Sequence, residues 1–263
     1  MASISKKIED AKIKLPDGRM HYQALGKGPA LVLLHSMASS IWSWSTVLEP
    51  LAEKHSVYAL DTMGQGDSDK PSRDYSIADY ANSVVDFMKA KGISKATLVG
   101  NSVGAVIAVQ IAAANPAMVD KVVLVGCPCR ETEEERQQAR LTMKTQYDEK
   151  GIPLPRSLED LKLSYAHATP RLQAKVNEDR AKAGVWAWKC AVANNSFDIA
   201  SALKKVKAVT LLVFGEKDML RSKEKAIQKY IKGSKLVIIP DAGHLPQVDN
   251  PEAFLEAVLP FLG

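Results

Sequence analysis

Short, almost purely apolar runs recur along the chain, and helical patterns fill most of the gaps between them. Ala30–Leu34 reads Ala-Leu-Val-Leu-Leu without a polar break, the pattern of a strand covered on both faces. Ser56–Leu60, Lys95–Val99, Lys121–Val125, Val209–Phe214 and Lys235–Ile239 repeat it. Helices are predicted near Trp44–Lys54, from Ser76 to about Lys91, over residues 103–114, over Ser222–Ile231, and after Asn250. Ser76 and Asp79 have capping-box spacing, each side chain able to satisfy a free backbone N–H of the first turn. Residues 103–114 carry only Gln110 as a polar member, so that helix is expected to be buried all round. Pro116 helps to end it. Asn250 and Pro251 read as a cap and first helical position. Ahead of all this, Ala11–Leu15 and Arg19–Leu25 flank Pro16-Asp17-Gly18, a hairpin signal.

The alternation stops between about Pro128 and Leu203. No convincing strand appears there; Thr132 with Glu135 and Ser157 with Asp160 mark helix starts, and Pro153 and Pro155 punctuate a loop. Alternating strand and helix units imply an α/β architecture, a mostly parallel sheet with helices on both faces. The 263 residues then divide into a core of 1–127 and 204–263, with 128–203 as an inserted helical lid. Ligands of open α/β sheets lie at the carboxyl edge of the strands, so an insertion between strands there would cover the ligand side.

Composition narrows the function without naming it. Apolar residues make up 46% and charged residues 25%, ordinary globular values. The net charge is +5, with 35 basic and 30 acidic residues of interspersed sign. No basic stripe of the kind that grips nucleic acid stands out. Cys127, Cys129 and Cys190 make no disulfide framework and are expected as buried free thiols. Residues 1–7, Met-Ala-Ser-Ile-Ser-Lys-Lys, contain no apolar leader core, and no run approaches a membrane span. A cytoplasmic protein without nucleic-acid or membrane partners is the expectation; the pattern specifies no oligomeric state.

The candidate chemistry starts at Leu98-Val99-Gly100-Asn101-Ser102-Val103-Gly104-Ala105. Gly-x-Ser-x-Gly stands between a predicted strand and a predicted buried helix. A serine forced into that tight turn needs tiny neighbours two residues away. The turn exposes the hydroxyl beside a helix N-terminus, where backbone N–H groups can hold developing negative charge. A serine needs a base, and the chain has five histidines. His21 lies in the hairpin, His55 in a turn, His167 in the insertion, and His35 ends a strand. His244, in Pro240-Asp241-Ala242-Gly243-His244-Leu245, follows the last strand and can meet Ser102 at the same sheet edge. Asp218 follows the preceding strand and is the favoured orienting carboxylate; Glu216 and Asp241 are its rivals. Ser, Asp, His in that chain order suits a nucleophile elbow.

These segments, with Asp61-Thr-Met-Gly64-Gln-Gly66-Asp67-Ser68-Asp69-Lys70-Pro71, resemble the α/β-hydrolase superfamily over nearly the whole chain. The resemblance implies an eight-stranded sheet, a helical cap between strands six and seven, no cofactor and no metal, and structural roles for the Asp61–Pro71 aspartates and glycines. It also implies oxyanion-hole N–H groups from Met37 and Val103. The family's usual His-Gly is His35-Ser36 here, which alters that loop. Trp186, Trp188 and Tyr147 in the cap, with His35, Ser36 and Leu245, are the expected substrate contacts. At most one of Trp186 and Trp188 is expected to line the site, because residues two apart on a helix do not share a face.

A serine esterase or lactonase acting on a small to medium, partly apolar substrate is the leading expectation. Carbon–carbon bond hydrolysis of ring-cleavage products, a cofactor-free perhydrolase or haloperoxidase, and a slow-turnover ligand receptor are the alternatives. Dehalogenases and epoxide hydrolases resemble this fold but use an aspartate where Ser102 stands.

Overall fold

The computed structural model describes residues 7–263; the leader reading of residues 1–6 lies outside them. Eight strands form one sheet: β1 (Glu9–Leu15), β2 (Gly18–Leu25), β3 (Ala30–Leu34), β4 (Ser56–Leu60), β5 (Ala96–Asn101), β6 (Val119–Val125), β7 (Val209–Gly215) and β8 (Lys235–Ile239). Their spatial order is β1-β2-β4-β3-β5-β6-β7-β8. β1 and β2 form the hairpin, β2 pairs antiparallel with β4, and every later pairing is parallel.

Eleven α-helices connect or follow the strands among the described residues: α1 (Ser45–Leu51), α2 (Ile77–Ala90), α3 (Val103–Ala114), α4 (Glu133–Met143), α5 (Leu158–Lys162), α6 (Pro170–Ala183), α7 (Val185–Ser196), α8 (Ile199–Leu203), α9 (Glu224–Tyr230), α10 (Pro246–Asp249) and α11 (Pro251–Leu262). Successive strand side chains point to opposite faces. Val32, Leu34, Leu98, Val122, Leu124 and Phe214 therefore join α2 and α3 in one core. Leu31, Leu33, Val99, Val123 and Val213 join α1 and α11 in the other. Fully apolar strands follow from burial on both faces.

The predicted caps form, with one variation. Ser76 and Asp79 exchange both hydrogen bonds of the box, as do Ser157 and Asp160. Thr132 accepts from the Glu135 N–H, but the Glu135 carboxylate reaches back to the Glu131 N–H rather than to the cap itself. Asn250 caps α11 with Pro251 first in the helix. The helix expected over Trp44–Lys54 begins instead as a 3₁₀ turn at Ile41–Trp44, and the one over Ser222–Ile231 begins as another at Arg221–Lys223. The single turn α10, opened by Pro246, has no counterpart in the sequence pattern.

Between β6 and β7 the chain makes five α-helices, α4 to α8, a 3₁₀ turn at Lys144–Gln146 and one isolated bridge from Tyr147 to Pro153. The three cysteines are buried and free, and burial pushes the Cys129 and Cys190 thiols up to about 12. No helix among the described residues is long and apolar enough to cross a membrane.

Candidate active site

Ser102 stands between β5 and α3 with φ +56° and ψ −116°, a backbone state that costs a non-glycine residue roughly 1–3 kcal/mol. The flanking glycines make the turn possible. A Cβ on Gly100 would lie 2.2 Å from the Gly104 carbonyl oxygen, and one on Gly104 would lie 2.2 Å from that of Leu34. The Ser102 N–H donates to the Val125 carbonyl at 2.8 Å, tying the turn to β6.

His244 lies beyond β8, and its Nδ1 donates to Asp218 Oδ1 at 3.0 Å. The same oxygen accepts from the Leu220 N–H at 2.8 Å. Asp218 Oδ2 is buried without a partner. Glu216 and Asp241 do not compete for His244. Glu216 accepts from the Asp241 N–H, and Asp241 pairs with Lys217 and His167 at the surface. His55 binds the Leu51 carbonyl, and His21 lies between Asp61 and Asp10. Ser102 and His244 face one cavity of about 350 Å³. An imidazole held in one tautomer by a carboxylate, opposite a serine hydroxyl, can take and return that hydroxyl's proton.

Two neighbours of this pair take positioning roles that the sequence does not show. Asn101 is fully buried, and its Nδ2 donates to the carbonyls of Val125 (3.2 Å) and His244 (3.0 Å). It fastens the histidine loop to the tip of β5. Gly126 has φ +52°, and a Cβ there would lie 2.8 Å from the His244 ring and 3.0 Å from Asp218 Oδ2. A glycine ending the strand beside the serine's strand is the signal that could have found it.

The loop after β3 brings Met37 to the cavity wall. Val103 opens α3, so its N–H has no intrahelical acceptor. Ser36 also faces the cavity, and its φ is not positive; the strained residue is Ala38, at φ +54°. Serine therefore replaces the usual glycine without backbone cost. Buried Gln65 holds the loop, its Oε1 accepting from the Ala38 N–H and its Nε2 donating to Thr62 Oγ1.

The expected substrate contacts divide. Tyr147, Leu245 and Ser36 line the cavity. His35, Trp186 and Trp188 do not. His35 is fully buried; its Nδ1 donates to the Ser36 carbonyl at 2.7 Å and its Nε2 accepts from the Thr62 N–H at 3.0 Å. It shapes the loop from behind. Trp186 packs on Gly64, where a Cβ would lie 2.4 Å from the ring, and meets Tyr75 edge-on. Trp188 meets Tyr147 edge-on at 5.2 Å and supports it from outside the cavity. Large rings fill the join between helices and core, where burying apolar area is most favourable.

The Asp61–Pro71 segment is held as framework. Asp61 is buried and accepts from Ile41 N–H, Asp67 N–H and His21 Nδ1. His21, Asp61 and Asp67 come within ion-binding reach of one another. Both imidazole nitrogens and both Asp61 oxygens face protein partners.

Residues 29–251 match the model of the alpha/beta hydrolase fold family. The chain is 28% identical to a 2-hydroxy-6-oxo-6-(2'-aminophenyl)hexa-2,4-dienoic acid hydrolase of Metapseudomonas resinovorans, covering 92% of this chain and 86% of that one. It is 24% identical to a pimeloyl-[acyl-carrier protein] methyl ester esterase of Nitrosomonas europaea, over 90% and 96%. The enol-lactonase of Burkholderia xenovorans LB400 superposes with a TM-score of 0.83 at 21% identity, over 96% and 99%. The sheet order, the insertion between β6 and β7 and the match over most of the length lead to one conclusion: the chain belongs to the alpha/beta hydrolase fold family.

Proposed function

We propose that the protein is a serine hydrolase of carboxylic esters or lactones, with Ser102 as nucleophile, His244 as general base and Asp218 as its orienting carboxylate. The observation that carries this reading is the strained Ser102 turn facing the same cavity as the Asp218–His244 pair. His244 takes the Ser102 proton as the hydroxyl oxygen attacks the carbonyl carbon. The N–H groups of Met37 and Val103 receive the oxyanion, each donor being worth roughly 3–4 kcal/mol. His244 then protonates the departing alkoxide, and water, activated by the same imidazole, releases the acid and restores Ser102. A serine at this turn, rather than a carboxylate, favours acyl transfer over epoxide or carbon–halogen chemistry. The cavity of about 350 Å³ fits a substrate of modest size.

Carbon–carbon bond hydrolysis is the second reading. Asn101 directly before Ser102, which resembles the elbow of such enzymes, and the similarity to the Metapseudomonas enzyme favour it. Such enzymes tend to carry tryptophan after the histidine and a glycine-rich oxyanion loop, whereas Leu245 and Ser36 stand at those places here, which counts against it.

Fluorophosphonate labelling with intact-mass readout, alongside p-nitrophenyl butyrate turnover, separates the readings. One label per chain, absent in Ser102→Ala, with rapid ester turnover is expected. His244→Ala should lower kcat by several orders of magnitude while leaving the fold intact, because the three residues act as a unit. An unlabelled wild-type chain sinks the serine mechanism.

A further inference from the structure

Three arginines line the cavity: Arg130, Arg156 and Arg180. None has a carboxylate within ion-pair distance among the described residues. Arg180, on α6, is only 7% exposed. Its Nε and Nη2 both donate to the Leu154 carbonyl, at 3.1 and 3.0 Å. Arg156, ahead of α5, is half-buried and donates Nη1 to Ser164 Oγ at 3.1 Å. That leaves Arg180 Nη1 and Arg156 Nε and Nη2 uncommitted. Burial, then the neighbouring Arg156 charge, hold the Arg180 guanidinium below its ordinary value.

Two guanidiniums in one partly buried wall destabilise the empty site, because each is desolvated and each repels the other. The nearby carboxylates do not neutralise them. Asp179 also lines the cavity but is matched by Lys175 Nζ at 3.0 Å and Ser40 Oγ at 2.9 Å. Asp160 is exposed and engaged by the Ser157 N–H and hydroxyl. Tyr147 and Tyr165 complete the wall, and burial keeps both phenols neutral, Tyr147 being pushed up to about 12. The wall is thus rich in donors and poor in negative charge. A planar guanidinium fork matches a carboxylate in two parallel hydrogen bonds.

We propose that Arg156 and Arg180 form an anion subsite under the helical segment, and that the substrate carries a carboxylate remote from its scissile carbonyl. This specifies the substrate class of the ester-hydrolase reading and rests on it. A carboxylate held there fixes the register of a short substrate, with its ester carbonyl presented to Ser102 in the same cavity. An apolar acyl group of equal length leaves both arginines desolvated and unpaired, so discrimination against it is built in.

Two measurements test the subsite on the full chain. Calorimetric titration with glutarate should show binding to the wild type, weakened roughly tenfold or more in Arg156→Met and in Arg180→Lys. Inorganic phosphate, titrated in parallel, should bind more weakly. Second, kcat/KM for mono-p-nitrophenyl glutarate relative to p-nitrophenyl butyrate should favour the anionic ester in the wild type. That ratio should fall roughly 30-fold or more in Arg156→Met, mainly through KM. Arg156 leaves a loop rather than a helix, so its variant keeps the test open if Arg180 variants fold poorly. Equal rates for both esters, phosphate binding without glutarate binding, or a ratio lost only in Arg130→Met would each overturn the assignment. If neither ester is cleaved and no fluorophosphonate label forms, the ester reading fails. Arginine-dependent glutarate binding would still support the subsite.

Discussion

Gly126 does for His244 what Gly100 and Gly104 do for Ser102. It leaves open the space through which the imidazole reaches Asp218. Gly126→Ala places a methyl 2.8 Å from the His244 ring at a φ of +52°. The expected result is a loss of roughly 10²-fold in kcat from a misplaced imidazole and about 1–3 kcal/mol of stability. Gly92→Ala is the control: it shares a positive φ of +68° but meets nothing within 4 Å. It should lose stability alone. Equal kcat losses in the two variants would show that strain, not contact with His244, is responsible. Ser102, His244 and Asp218 were legible together because chain order and strand ends restrict which residues can meet. The sequence places His35 and Trp186 at the pocket because it shows residue type and segment but not side-chain direction. His35 turns inward to satisfy the Thr62 N–H, and Trp186 turns onto Gly64. Only three-dimensional packing decides such turns.

The helical segment between β6 and β7 is fastened to the histidine loop by backbone, not by side-chain packing alone. The His244 N–H donates to the Ser164 carbonyl at 2.7 Å. Asp249 Oδ2, from α10, accepts from both Gly243 N–H (2.8 Å) and Ala166 N–H (2.9 Å). One carboxylate therefore joins three elements around His244. Burial pushes the Asp249 carboxyl up, against the pull of those N–H groups. Asp249→Ala should lower kcat about tenfold or more and speed amide exchange over residues 160–168, with partial rescue by Asp249→Asn, which retains an acceptor. Unchanged exchange with lowered kcat would place the effect elsewhere. Strand positions and the Ser76, Ser157 and Asn250 caps were readable because burial and cap chemistry are local. The bounds of α6 to α8 were not: α6 intersperses charged and apolar residues, and α7 holds one charged residue, Lys189, so neither shows a clean apolar stripe.

At the scale of the molecule, the antiparallel hairpin is stitched to the parallel core through a buried His–Asp pair. His21 Nδ1 donates to Asp61 Oδ2 at 2.7 Å, and Nε2 meets Asp10 Oδ1 on β1 at 2.9 Å. The hydrogen bond to Asp61 raises the His21 pKa to about 8, against the opposing effect of burial. Burial acts to raise the Asp61 carboxyl, but His21 and the Ile41 and Asp67 N–H groups hold it below its ordinary value. A histidine whose folded pKa lies above its unfolded value of about 6.5 binds its proton more tightly when folded. Its contribution is complete below about pH 6.5 and disappears as pH rises through about 8. Asp61 acts at the opposite edge, its contribution disappearing as pH falls through the carboxylate range, so the two windows do not overlap. Asp10 is exposed, and solvent screens its share of the pairing. Urea unfolding should accordingly show a stability loss on the order of 1 kcal/mol between about pH 6 and about pH 9. His21→Gln keeps one hydrogen-bond donor near Asp61 and removes the titration, so its stability should stay flat over that interval. An equal slope in both proteins would assign the alkaline loss to other groups and leave the stitch neutral.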